Sequence, residues 1–127
     1  MYISDIIHFN KKDSEAELRI SDGNYSLNCY AYPIETVAVN QKISGIYGLL
    51  CTEIVKSFED NYCINKLPQY YAYSLTAKVL SKNSSTVQIG NLKIYLDGYI
   101  PNDISEGEYI SFRVQRLDLN IRQGTVD

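Results

Sequence analysis

The residues of this 127-residue chain that could carry chemistry are few and poorly matched to one another. His8 is the only histidine. It sits beside Phe9 and the polar run Asn10-Lys11-Lys12-Asp13, which reads as a strand end, and without a second histidine most zinc sites cannot be built. The three cysteines, Cys29, Cys51 and Cys63, have no CxxC spacing and do not describe a disulfide framework. Reduced thiols are the expectation, with Cys29 acting as a buried small hydrophobe and Cys63 exposed. A nucleophile pair made of His8 and one thiol is the one arrangement of that kind open to the chain. Asp103, Glu106 and Glu108 lie close together, and paired carboxylates can do acid–base work or bind calcium. Ser105-Glu106-Gly107-Glu108 reads better as a turn that launches a strand from Tyr109. Gly45-Ile46-Tyr47-Gly48 matches a bare G-x-x-G, but it interrupts a strand-like run and contains no base. No phosphate-cradling glycine loop occurs. The expectation is a protein that is not an enzyme, with no metal and no cofactor.

Residues suited to contact are more abundant than residues suited to catalysis. Tyrosine occurs twelve times, against three Phe and no Trp. Tyr fits half-buried strand positions and is also enriched at binding surfaces. The tract Gln69-Tyr70-Tyr71-Ala72-Tyr73 cannot place all its rings on one strand face, so at least one should be exposed. Arg113, Arg116 and Arg122 form the only arginine cluster. With outward Lys93 and Tyr95 they could make a small basic and aromatic surface, although a solvated strand face that resists edge pairing is the plainer reading. Net charge is −3 and the sequence pI about 5.1. Residues 1–68 hold nine acids against six bases, and residues 69–127 hold six of each.

Alternation with a period of two is the pattern that must position these groups. Ala16, Leu18 and Ile20 share one face, with Glu15, Glu17 and Arg19 on the other. After the turn Asp22-Gly23-Asn24, the residues Tyr25, Leu27, Cys29 and Ala31 alternate with Ser26, Asn28, Tyr30 and Tyr32, completing a hairpin. Val87 and Ile89 lead to the turn Gly90-Asn91, and Leu92, Ile94 and Leu96 then point inward, leaving Lys93, Tyr95, Asp97 and Tyr99 outside. An offset of 67 residues carries Leu27 onto Ile94, Cys29 onto Leu96, Asn40 onto Gly107 and Ile43 onto Ile110. Leu50, Ile54 and Phe58 have helical spacing, but the offset favours a bulged strand through about Ile54. The matching slip falls near Gln115-Arg116, between the face of Ile110, Phe112 and Val114 and that of Leu117, Leu119 and Ile121. Leu18, Ile20, Leu27, Cys29, Val87, Ile89, Ile94, Leu96, Ile110, Phe112 and Val114 form the expected core.

The expected fold is therefore all-β: about eight antiparallel strands from an internal duplication of a four-strand unit, arranged as a small barrel or sandwich. The strand–meander–loop–strand order of each half resembles a truncated OB-fold, an analogy of architecture that licenses no function. One compact domain over 1–127 is expected, with halves at about 1–58 and 70–122 and a linker near 59–69 that carries Asp60-Asn61, Asn65 and Pro68. No signal peptide or membrane span is visible, and a cytoplasmic location follows. The function expected is a non-catalytic protein-binding module, an acidic inhibitor or immunity-type protein that neutralises a basic toxin or nuclease through Tyr and carboxylate contacts. Candidate contact residues are Glu15, Glu17, Asp22, Tyr30, Tyr32, Tyr70, Tyr95, Asp97 and Tyr99. The alternatives are an OB-like single-stranded nucleic-acid binder using Lys93, Tyr95, Tyr99, Arg113 and Arg116, and a scaffold subunit.

Overall fold

The computed structural model describes residues 1–69 and 71–119, and among these the fold is all-β, without a helix. Among the described residues no helix is long and apolar enough to cross a membrane. The order is β1 (Tyr2–Asn10), β2 (Glu15–Ser21), β3 (Ser26–Ala31), β4 (Ile46–Leu49), β5 (Thr52–Lys56), β6 (Cys63–Lys66), β7 (Tyr73–Ser81), β8 (Thr86–Ile89), β9 (Leu92–Leu96), β10 (Tyr109–Val114) and β11 (Arg116–Leu119). All eleven belong to one sheet, ordered β1-β2-β3-β11-β4-β9-β8-β7-β10-β5, with β6 added on β7. The path ends at β1 and β5 and does not close, so the barrel form is corrected to an open sheet. The count rises from eight to eleven, and two pairings, β3 with β11 and β4 with β9, are parallel.

The core follows from the alternation. All eleven expected core residues are buried, and Ile3, Ile46, Leu75, Ile104 and Leu117 join them. The inner rows of β2 and β3 and those of β8 and β9 contribute to the same cluster.

The expected bulged strand through about Ile54 is corrected. Ile46 and Gly48 point inward, whereas Tyr47 is half-buried and Leu50 is exposed. The chain kinks at Leu50 (φ 53°) and again at Glu53 (φ 57°), so β4 and β5 are separate strands. Gly48 lets β4 lie close against its neighbours: a Cβ there would stand 3.1 Å from both Leu96 and Val114. A Cβ on Gly45 would meet the Tyr95 ring at 2.7 Å. The G-x-x-G is therefore a packing feature. The expected linker also holds β6, which pairs with β7 from Cys63↔Thr76 to Lys66↔Tyr73. Tyr62 anchors that segment between the rings of Tyr25 (5.4 Å between centroids) and Tyr109 (5.5 Å).

Backbone hydrogen bonds recur at the 67-residue offset around one turn. Gln41 N–H donates to Ala38 O (3.2 Å), as Glu108 N–H does to Ser105 O (3.1 Å). The amides of Ala38 and Ser105 donate in turn to the side-chain oxygens of Gln41 and Glu108. Asn40 and Gly107 both have positive φ and both donate to the chain's opening strand of their half, Asn40 to Ile3 O and Gly107 to Val79 O.

Candidate functional site

The outer face of the β2–β3 hairpin holds most of the first-half candidates. Glu17 lies opposite Tyr30 in register, and Glu15 is Tyr30's diagonal neighbour. The Tyr30 phenol donates to Glu15 Oε2 at 2.8 Å. Its ring is covered by Tyr71 (5.6 Å between centroids) and by the Arg116 guanidinium (4.7 Å from the centroid). Burial and the Glu15 carboxylate together push the Tyr30 hydroxyl above its ordinary pKa. Arg116 reaches this position because Asp118 on β11 lies beside Tyr30 on β3 and grips the guanidinium through two bonds, at 2.6 and 2.9 Å. Tyr32, just past β3, is exposed.

Asp22 does not belong to that patch. It stands at the opposite end of β2, about 20 Å away at the ~3.3 Å rise of a strand. Its carboxylate accepts the amides of Asn24 (2.8 Å), Tyr25 (2.7 Å) and, from the β8–β9 turn, Asn91 (2.7 Å). Burial opposes ionisation there, but those amides outweigh it and hold the carboxyl below its usual pKa. Asp97 is likewise engaged with backbone: its two oxygens accept Leu50 N–H (2.7 Å) and Cys51 N–H (2.9 Å), fixing the kink between β4 and β5. Both carboxylates reinforce turns. Tyr95 stacks on Tyr47 (5.2 Å, 25° between planes), with Lys93 Nζ 5.4 Å from its ring centroid. Register places Tyr95, Tyr47, Asp118, Tyr30 and Glu17 in one row across five strands. Tyr99 is almost wholly exposed, at 95%. Tyr70 lies outside the described residues, as do Ile121 and Arg122. Tyr73 is buried, and its hydroxyl accepts Asn28 N–H at 3.0 Å.

The groups considered for catalysis are kept apart or engaged. His8 is exposed on β1, whereas Cys29 is fully buried, with burial pushing its thiol pKa far up. Burial, assisted by Asp97, pushes the Cys51 thiol up to about 12. Both thiols stay protonated at neutral pH and are poor nucleophiles. Glu106 accepts Lys82 N–H (3.0 Å), and Glu108 accepts Ser105 N–H (2.8 Å) while pairing with Lys56 (2.7 Å). No group of three or more metal-ligating side chains occurs among the described residues.

A region that the sequence barely signals is the end of the sheet at β5. A cleft of about 490 Å³ is lined by Leu50, Thr52, Glu53, Leu67, Gln69 and Arg113, among others. Three non-glycine residues with positive φ, namely Leu50, Glu53 and Tyr71, surround it or the adjoining hollow at Arg116. Such conformations cost energy and gather at functional positions. Leu50 (59%) in the cleft, and Val55 (57%) and Phe58 (99%) on and just after β5, leave apolar surface in water. The one sequence signal for this region was Phe58, an apolar residue placed directly before Glu59 and Asp60.

No family model matches the chain, and comparison with curated proteins and with solved structures finds no match either.

Proposed function

We propose that this chain is a non-catalytic, cytoplasmic protein-binding module, an acidic inhibitor of the immunity type that occupies a basic protein such as a toxin or nuclease. The observation that carries this reading is the distribution of charge. Arg19, Lys56, Arg113 and Arg116 are each paired with a carboxylate, Asp5, Glu108, Glu53 and Asp118 respectively. The chain's excess is in acids, so the field left for a partner is negative, which speeds encounter with a basic surface. Exposed aromatic and aliphatic side chains supply contact area. The three free thiols suit a reducing compartment.

A second reading, single-stranded nucleic-acid binding, is favoured by Lys93 over Tyr95 and by the stacked Tyr47. Against it, both rings already stack on each other, and Arg113 and Arg116 are neutralised. The test is to capture the partner on the immobilised chain and follow association across salt concentration. The expected result is a basic protein whose association rate falls several-fold between 50 and 300 mM salt, roughly what loss of electrostatic steering gives. Salt-sensitive binding of single-stranded oligonucleotides, lost in Tyr95→Ala or Arg113→Ala, would replace this reading with the second.

A further inference from the structure

We infer that β5 is a strand-addition site, taking an extended, basic and apolar segment of the partner onto its free edge; this rests on the protein-binding reading and gives it a surface. β5 ends the sheet path and pairs only with β10 among the described residues. Ser57 N–H donates to Tyr109 O at 2.9 Å, so alternation turns the backbone N–H and C=O of Lys56 and Ile54 away from β10. An edge of this kind is a template for another strand unless it is blunted. The bulge at Glu53–Ile54 blunts its start but leaves the run from Val55 to Ser57 in ladder geometry with β10.

Two features select the occupant. Val55 on β5 stands out into water and suits an apolar side chain of an added strand, and the exposed Phe58 adds apolar surface just past the strand's end. Glu108 pairs with Lys56 at 2.7 Å, Asp103 and Asp60 act on the same ammonium, and Lys82 acts on Glu108, so three carboxylates face two bases and leave negative charge for a basic segment to answer. The same charge disfavours a second copy of this chain, because antiparallel self-pairing would bring two such acidic groups together. A basic strand gains both the backbone bonds and the charge.

The test uses the full chain, labelled with nitrogen-15, titrated with a capped eight-residue peptide of alternating Lys and Val. Parallel titrations use its fully N-methylated form, its Glu/Val counterpart and a twelve-residue oligothymidylate. The expected result is that amide signals of residues 52–58 shift most and that exchange of the Ile54 and Lys56 amides slows. The N-methylated peptide should bind at least ten-fold more weakly, and the Glu/Val peptide should not bind. Asp60→Lys/Asp103→Lys should weaken the Lys/Val peptide ten-fold or more. Lys56→Pro, which removes an outward donor, should do the same while leaving the signals of β1–β3 in place. Equal binding of the N-methylated peptide, shifts confined to another face, or no peptide binding would overturn strand addition at β5. If a captured basic partner still binds the Lys56→Pro chain at full strength, the edge is wrong while the protein-binding reading stands. Binding of the oligothymidylate in preference to the peptide would overturn that reading itself.

Discussion

At the scale of single residues, the carboxylates that looked like contact groups divide by what they hold. Glu15 and Glu17 lie on an outer strand face, whereas Asp22 and Asp97 accept backbone amides and set the chain's path. Asp22 joins two hairpin turns that are 69 residues apart through its bond to Asn91 N–H. The approach is close enough to exclude a side chain at Gly90, where a Cβ would lie 2.6 Å from Asp22 Oδ2 and from the Tyr25 ring, with φ at +56° besides. Asp22→Ala removes an ionised acceptor from three amides and is expected to cost about 1.5–3 kcal/mol at pH 7, the range for hydrogen bonds to charged groups. The carboxyl's folded pKa lies below its ordinary value near 3.8. The stabilisation is therefore fully present above that ordinary value and is lost as pH falls through the lower folded value. Urea denaturation at pH 7 and at about pH 3 checks this: the gap between wild type and variant should narrow in acid. A gap that is unchanged or wider at low pH would remove ionised Asp22 as the cause.

At the scale of elements, what alternation can express was readable and what depends on distant neighbours was not. The faces of β2, β3, β8, β9 and β10 follow directly from period two, which is why Leu18, Cys29, Ile94 and Phe112 all fall in the core. The kink at Leu50 was hidden, because a leucine with positive φ has no sequence signature; the Asp97 carboxylate, 47 residues away, holds it by accepting Leu50 N–H. Without that kink the run from Ile43 to Ile54 looks like one bulged strand, and the separate edge strand β5, with the candidate surface on it, disappears from view. The Tyr30–Glu15 contact follows from hairpin register, whereas Arg116 over Tyr30 needs the parallel β3–β11 pairing. The left-handed conformation costs an L-residue roughly 1–2 kcal/mol that glycine avoids. Leu50 is largely exposed, so Leu50→Gly sacrifices little burial. Glycine's extra freedom in the unfolded chain offsets part of the gain. The expected outcome is stability between unchanged and about 1 kcal/mol higher, the usual size of such backbone effects, read by chemical denaturation. A loss above about 1 kcal/mol, beyond the range of ordinary surface changes, would show that the Leu50 side chain is a packing element and that its conformation is repaid locally.

At the scale of the whole molecule, the question is whether the two halves suggested by the 67-residue offset are separable. The pairings argue that they are not. β11 from the second half lies between β3 and β4 of the first, β4 lies against β9, and among the described residues β5 pairs only with β10. The hairpins β1–β2–β3 and β7–β8–β9 are thus each completed by a strand from the other half. Tyr73 makes the same crossing with a side chain, its hydroxyl accepting Asn28 N–H on β3. A fragment ending at Glu59 would keep the β1–β3 meander yet lose the strand beside β3 and the cover over Leu27, Cys29 and Ile46. Small sheets without a packed face are marginal in water. Fragments 1–59 and 60–127, cut in the exposed segment before Tyr62, are therefore expected to be unfolded singly and to recover the native sheet when mixed. Circular dichroism and analytical ultracentrifugation of each fragment and of the equimolar mixture check this. The mixture should sediment as one 1:1 complex and melt cooperatively. Cooperative unfolding of 1–59 alone would mean that its core closes without β11, and the interlocked arrangement of the halves would then not be what holds the molecule together.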